Sequence, residues 1–521
     1  MIGGLLRTSG DALTGTSENR GALLIRNGAI CLAGLLGVVL IIRLVLTRDY
    51  NYDELQHSHV TWLVSIGEVP YRDFADNHFP FLWILLSPLM RVLPESPVTL
   101  TILRGLALLL NAVFLGALGT LICSEHPAKQ RIWAVACFGL VVFSPPAVDY
   151  LIQFRPDPLG NALLFSGLLW LWLRGSTNAP AAFVGGFCIG AGVLVNTKFV
   201  LLPFLFGAVA LAVHLRGIRQ IWPSALAICL GFSACLLCDL LLLVLMRIPL
   251  DGAWLMVVVY NATVENIRTF GFGLARTLVR QTAWLAYVLA GLIGCVALFV
   301  YQRQSASPLA AATFLFLLVS LSTTTQPWRQ YMASWLLLAS YFPARSLPVL
   351  AARLRTKDQI GVALFVLLIA MADLRTGFVD LGGLMATHRA TQDRLIEWVV
   401  RRVPPDGFVV ADFFFHPVFR RDTFFKTVFD FTVASSDGFE EFMVGLAPRA
   451  YSEHFQRSGY EKELEIRPPS LIVLPGTYAR VQAQVLHDYL NRHIDSYKLR
   501  LIPGTHISVA ERKTRGLPEP K

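Results

Sequence analysis

Charge is scarce in this chain. Of its 521 residues only 15% are Asp, Glu, Lys or Arg, against 55% hydrophobic residues, and the mean hydropathy is +0.55. A soluble chain of that length needs far more charge to cover its surface, so a soluble globular fold is excluded. Cysteine is missing from the hydrophilic C-terminal part. All eight (Cys31, Cys123, Cys137, Cys188, Cys229, Cys235, Cys238, Cys295) lie in or beside apolar runs, which excludes a disulfide framework for that part. Cys235-x-x-Cys238 falls inside an apolar helix and reads as packing rather than as a redox or zinc motif. A P-loop, a dinucleotide fingerprint and an internal repeat are also lacking. No cleavable signal peptide is visible: residues 1–27 are polar and carry Arg7, Arg20 and Arg26, so the first apolar run reads as a retained signal-anchor helix.

What is present is a series of apolar stretches, each of a length suited to cross about 30 Å of hydrocarbon. Eleven spans are expected, near 28–47, 98–121, 131–147, 158–174, 181–195, 199–215, 222–246, 283–301, 308–322, 330–344 and 359–375. With the N-terminus in the cytoplasm, Lys129/Arg131, Arg174, Arg216/Arg219, Arg303 and Arg345/Arg353/Arg355/Lys357 fall in short cytoplasmic loops, as the positive-inside rule requires. The net charge of +10 therefore sets topology and does not point to nucleic acid. The outward loops become 48–97, 148–157, 196–198, 247–282 and 323–329, together with everything after Arg375.

The expected architecture is mainly α. A polytopic transmembrane bundle with its N-terminus in and C-terminus out spans 28–375, preceded by a cytoplasmic tail (1–27). A small extracytoplasmic α/β domain follows (376–521). In that domain 391–402 and 477–491 have helical periodicity, while 408–411, 471–474 and 506–510 read as strands. Its aromatic segment Phe413–Phe431, with Arg420, Arg421 and Lys426, fits either a headgroup-facing surface or an ordinary domain core.

The outward loops are unlike plain connectors. Loop 48–97 holds Asp53, Glu54, His57, His59, Asp73, Asp76 and His78 among apolar segments, with two amphipathic interfacial helices expected at 54–66 and 79–90. Asp53 admits two readings. With Gln56 three residues on, it fits an N-cap in a capping box. The second reading is chemical, because Arg155 and Asp157, Lys198, and Arg329 with Tyr331 arrive from separate outward loops on the same side. Ionisable groups at a bilayer boundary are costly unless paired, cavity-facing or functional. A carboxylate there can take the proton of an acceptor hydroxyl while cations stabilise a leaving phosphate. His57 and His59 read as structural or interfacial, Arg43 and Arg91 as snorkelling, Arg104 as within reach of the cavity, and Asp239 as a helix–helix or cavity group. Gly186-x-x-x-Gly190 reads as helix packing.

Asp53-Glu54 after the first span, then Gly67-x-x-Pro70-Tyr71-Arg72-Asp73 and Asp76-Asn77-His78-Phe79-Pro80, resemble the bacterial GT-C glycosyltransferases, in particular the protein O-mannosyltransferase-like and aminoarabinose-transferase-like groups. Gly190 to Lys198 and Arg329-Gln330-Tyr331 are similar to later stretches of the same superfamily, and the match runs in order over about the first 345 residues. The resemblance implies inverting transfer of a sugar from a polyprenyl-phosphate donor at the outer face of the inner membrane. The acceptor would be a lipid, glycan or protein. It implies Asp53 as base, with Glu54 completing the catalytic motif. Arg155, Lys198 and Arg329 would lie at the donor phosphate, with Asp157, His78, Asp76 and Tyr331 also in the site. No cofactor is certain; a divalent cation is a candidate, with His78 and Asp157 as its candidate ligands. Phe79 replaces a proline of the related pattern and weakens the metal reading. Two alternatives stay open, a lipid-linked glycan polymerase or ligase and a polyprenyl-lipid transporter or flippase, the latter disfavoured because no repeat is seen.

This topology predicts that a single cysteine placed at position 73 reacts with an impermeant thiol reagent added outside intact cells. Labelling only after permeabilisation would contradict it.

Overall fold

The computed structural model describes residues 20–74, 76–175, 178–196, 200–213, 218–260, 275, 278, 282–302, 308–323, 329–351, 388–411, 415–422, 457–474 and 480–513. The expected span at 359–375 lies outside these residues, as do the expected basic loops at 214–217 and 303–307.

The apolar runs form helices α1 (Arg20–Thr47), α4 (Pro97–Ser124), α5 (Ala128–Val142), α7 (Pro156–Trp170), α8 (Ala179–Val195), α9 (Leu201–Val213) and α10 (Ile218–Leu245). After α10 come α11 (Leu250–Trp254), α12 (Thr282–Gln302), α13 (Pro308–Thr323), α14 (Arg329–Ala339) and α15 (Tyr341–Ala351). Pro97–Ser124 and Trp222–Leu245 are each long and apolar enough to cross a membrane. The bundle wears apolar groups on its outside: Leu237, Leu241 and Leu245 on α10 and Ile293 and Val300 on α12 are exposed. Continuous exposed apolar surface of this kind needs lipid to cover it. Two expected spans are broken. The run 131–147 ends at Val142, and Pro145-Pro146 start a separate short helix α6 (Pro145–Leu151). The run 330–344 divides at Ser340 into α14 and α15.

Small residues draw three helices together and so position the site. A Cβ on Gly231 of α10 would come within 2.1 Å of the Phe183 carbonyl oxygen of α8, and one on Gly186 within 2.2 Å of the Ile228 carbonyl oxygen. On the other face of α8, a Cβ on Gly192 would lie 2.7 Å from the Leu164 nitrogen of α7. The Gly186–Gly190 spacing is thus a packing motif, as expected, and Cys235 packs beside Gly190. This contact aligns the start of α7 with the end of α8. At the opposite end of the bundle Glu125, after α4, accepts from Tyr341 and pairs with Arg345 at 2.6 Å.

Loop 48–97 forms α2 (Tyr52–Ser65) and α3 (Phe81–Val92). Every residue of α2 from Glu54 to Ser65 is buried, because α3 covers one face and the C-terminal unit another, so its polar residues face protein. Arg91, exposed at the end of α3, donates from its Nε to the Ser65 carbonyl at 2.7 Å.

The C-terminal part is an α/β unit. Its sheet has the order β2-β1-β3-β5-β4, from β1 (Phe408–Val410), β2 (Arg421–Asp422), β3 (Leu471–Leu474), β4 (Tyr497–Leu501) and β5 (Ser508–Arg512). β1 pairs in parallel with β2 and β3, while β5 is antiparallel to β3 and β4. Its helices are α16 (Arg389–Arg402), α17 (Arg457–Ile466) and α18 (Arg480–Arg492). β2, β4 and α17 were not among the expected elements, although Tyr497-Lys498-Leu499-Arg500-Leu501 alternates apolar and polar residues as a strand does. One apolar cluster joins Trp62, Trp83 and Leu100 of the bundle side to Val418, Phe419 and Ile472 of this unit, each large side chain contributing about 1.5–3 kcal/mol. The headgroup reading of the aromatic segment is therefore replaced by the core reading for residues 415–422. Arg420 is buried there: its Nε donates to the Val403 carbonyl and its Nη2 to that of Val400, both at 2.6 Å, closing the C-terminus of α16. Its Nη1 pairs with Glu95 of the bundle side, also at 2.6 Å.

Gly231→Val should lower the unfolding midpoint in detergent by the equivalent of about 1–3 kcal/mol. Gly116→Ala, with nothing within 4 Å of its Cβ, should leave it unchanged; equal effects would contradict the close α8–α10 contact.

Candidate active site

The segment Arg48–Glu54 turns from α1 into α2, and two sequence patterns compete to cap that helix. The structure uses Asn51, not Asp53. The Asn51 side chain accepts from the Asp53 backbone N–H at 3.0 Å, and its own N–H donates to Glu54 Oε2 at 2.8 Å. The capping-box reading of Asp53 with Gln56 is thereby corrected by two residues, and the Asp53 carboxylate is released from capping.

Glu54 is saturated. Its Oε1 accepts from Arg104 Nε at 2.8 Å and from the Phe154 N–H at 3.0 Å, while Oε2 also accepts from Arg104 Nη2 at 2.7 Å. Glu54 and Arg104 are 2% and 1% exposed, and Arg104 donates as well to the carbonyls of Arg48 and Asp49. Both oxygens of the expected catalytic residue Glu54 are thus engaged within the protein. Arg104 was undervalued by the sequence reading; a lone arginine in a 28-residue apolar helix was the available signal.

Asp53 points the other way, into an ion pair with Arg155. Arg155 is the N-cap of α7 and also meets Asp157 Oδ2 at 3.3 Å and Gln153 Oε1 at 3.3 Å. Burial alone would favour the neutral guanidine, but the carboxylates of Asp53 and Asp157 raise its pKa above the ordinary arginine value, so it stays charged. Asp157 Oδ1 accepts from Asn196 Nδ2 at 3.2 Å. Asn196 reaches it because Gly160 lacks a Cβ, which would sit 2.6 Å from that of Asn196. Three of the loops expected to face outward thus meet in one chain of contacts, Asp53–Arg155–Asp157–Asn196. The arginine and Asp157 are nearly buried, with side chains 4% exposed, while Asp53 keeps 13% of its side chain open.

Lys198 lies outside the described residues. Arg329 and Tyr331 begin α14, and their side chains are likewise outside them; a turn further on, Ser334 meets Tyr150, whose hydroxyl accepts from Asn161 of α7. Asp76 and His78 attach to α2 instead. Asp76 Oδ2 accepts from Gln56 Nε2 at 2.7 Å and Oδ1 meets His78 Nδ1 at 2.9 Å. The His78 ring stands edge-on to His57 at 4.6 Å. Among the described residues no three His, Cys, Asp or Glu side chains gather as a metal site. The candidate ligands His78 and Asp157 are engaged by Asp76 and by Arg155 with Asn196, so these residues do not fit a resident cation and no step is assigned to one.

The C-terminal unit holds the same turn from outside. Gln392 of α16 accepts from the Tyr50 N–H at 2.8 Å and donates to the Tyr50 carbonyl at 3.1 Å. The Tyr50 ring has the guanidinium carbons of Arg389 at 3.8 Å and Arg104 at 4.7 Å from its centroid. Further along α2, His59 Nδ1 donates to the Val418 carbonyl at 2.5 Å. Burial, aided by nearby His416, pushes the pKa of His59 down to about 3, so this contact is neutral at ordinary pH. None of these links had a readable sequence signal.

No model of a known protein family matches the chain, and no curated protein matches it in sequence. Among solved structures, the fold is similar to that of ArnT from Cupriavidus metallidurans bound to undecaprenyl phosphate, with TM-score 0.57 and 13% identity over 95% of this chain and 99% of that one. The apo state of the same protein gives TM-score 0.56 and 13% identity over 93% and 98%. The oligosaccharyltransferase of Archaeoglobus fulgidus aligns at TM-score 0.46 and 12% identity over 84% of this chain and 69% of that one. The chain is mainly helical, with a fold similar to that of ArnT over nearly its whole length and with two described helices long and apolar enough to cross a membrane.

Glu54→Ala strands Arg104 as an uncompensated buried charge, and should cost about 3–5 kcal/mol as read by the unfolding midpoint. Asp53→Asn leaves Arg155 paired with Asp157 and keeps an amide in place of the carboxylate, so it should cost less, about 1–2 kcal/mol. A reversal of that order would refute the division of labour between the two acids.

Proposed function

We propose that this protein transfers a sugar from a polyprenyl-phosphate donor to an acceptor hydroxyl at the extracytoplasmic face of the membrane, with inversion. The observation that carries the reading is the partly open Asp53 carboxylate paired to a buried, permanently charged Arg155 at the meeting point of three loops. The fold likeness to ArnT, and the absence of a nucleotide-binding motif, support a lipid-linked donor whose tail lies in the bilayer.

In the proposed step the acceptor hydroxyl gives its proton to Asp53 as its oxygen bonds to the anomeric carbon. The bond from that carbon to the phosphate oxygen breaks, and polyprenyl phosphate leaves with the electron pair. Asp53, Arg155 and Asp157 together carry a formal charge of −1, which by itself does not attract a phosphate. Protonation of Asp53 changes the balance: its hold on Arg155 weakens just as negative charge grows on the leaving oxygen. Arg155 is then available to that charge, with Lys198 and Arg329 assigned to the donor phosphate as well. The C-terminal unit, through Gln392 and Arg389, keeps the turn carrying Asp53 in place.

The test is transfer from a labelled polyprenyl-phosphate sugar in proteoliposomes. Asp53→Asn should lower the rate by about 10²–10⁴-fold with the fold retained, and Lys198→Ala should raise the donor KM. Full activity in a folded Asp53→Asn protein would overturn the assignment.

A further inference from the structure

A cleft of about 110 Å³ opens between the end of α1, the start of α2 and the segment joining α6 to α7. It shares walls with the site just described. Tyr52 and Glu54, on either side of Asp53, line it, and so does Gln153, which accepts from Arg155. Its charged lining comprises two cations, Arg48 and Arg104, and three carboxylates, Asp49, Glu54 and Asp149, a formal −1. Arg104 and Glu54 neutralise one another. Arg48 and Asp149 face each other at 3.6 Å, with side chains 23% and 21% exposed, so their polar heads form part of the accessible wall.

We infer that this cleft is the acceptor subsite, taking the uncharged sugar ring that bears the accepting hydroxyl and not the donor phosphate. The inference rests on the reading of Asp53 as base. Charge is the first reason: both cations of the described lining already face carboxylates, Arg104 with Glu54 and Arg48 with Asp149. Lys198 and Arg329, the further cations assigned to the donor phosphate, are not among those lining residues, so the lining suits a neutral polyol. Chemistry is the second. Each sugar hydroxyl both donates and accepts, and the wall alternates carboxylate, guanidinium, amide and phenol groups along Asp149, Arg48, Gln153, Asn51 and Tyr52. Size is the third, since the volume equals about four waters at ~30 Å³ each, room for a ring edge and not for a prenyl chain. Geometry is the fourth. In an inverting displacement the attacking oxygen and the leaving phosphate lie on opposite sides of the reacting carbon, so the acceptor belongs beside the donor's cations and not among them. The cleft lies next to the base through Tyr52, Glu54 and Gln153, and the accepting hydroxyl must extend past that wall to reach the Asp53 carboxylate, which faces Arg155.

The test uses the full chain in nanodiscs with a diazirine-bearing methyl glycopyranoside, followed by peptide mapping. The label should fall within 48–54 and 149–153, and excess methyl glycoside should displace it better than the corresponding sugar 1-phosphate. It should persist in Asp53→Asn, which separates binding from the assignment of the base. In the transfer assay Asp149→Asn should raise the acceptor KM about tenfold, with kcat and donor KM unchanged. Labelling elsewhere, or stronger competition by the sugar 1-phosphate, would overturn the inference; the second result would mark a donor site. An Asp149→Asn effect confined to kcat would also overturn it. Should Asp149→Asn fail to fold, the parent's labelling pattern decides alone. Absence of transfer by the parent protein would sink the proposed function, and the labelling would still report on the cleft.

Discussion

The buried ion pair between Glu54 and Arg104 is the constraint on which the rest of the site depends. Arg104 sits in a span, where an unpaired charge costs several kcal/mol. Glu54 supplies the countercharge and at the same time closes the N-terminus of α2 and accepts from the Phe154 N–H. One carboxylate therefore ties together the end of α1, the start of α2, α4 and the loop before α7. With all four of its contacts satisfied the pair escapes the usual penalty of a half-satisfied buried network.

Asp53 owes its freedom to that arrangement. Adjacent residues near a helix N-terminus point about 100° apart, so fixing Glu54 toward α4 directs Asp53 toward Arg155. The close α7–α8 contact at Gly160 and Gly192 then brings Asn196 onto Asp157. The C-terminal unit closes the assembly through Tyr50, held by an amide on its backbone and two guanidinium groups on its ring. Rigid support of a partly open acid is what general-base chemistry requires.

Much of this was legible in the sequence, and the parts that were not share a physical cause. Two of the spans expected from apolar length are helices long enough to cross a membrane. Of the residues that loop sidedness put together, Asp53, Arg155 and Asp157 are in contact, joined by Asn196 where Lys198 was expected. Asn51 and Asp53 both satisfy the capping pattern, and only the need of Arg104 for a countercharge decides between them. The burial of α2 was not legible because its polar residues Gln56, His57 and His59 suggest solvent. They in fact meet Asp76, Trp83 and Val418, partners distant in sequence.

The most direct measurement is a cryo-EM structure of the full chain with a non-hydrolysable polyprenyl-phosphonate sugar. The account predicts the phosphonate oxygens at Arg155 and the anomeric carbon facing Asp53, separated from it by space for one acceptor hydroxyl, about 3–3.5 Å from the carbon. A donor headgroup seated away from Arg155, with Asp53 directed at neither sugar nor solvent, would contradict it.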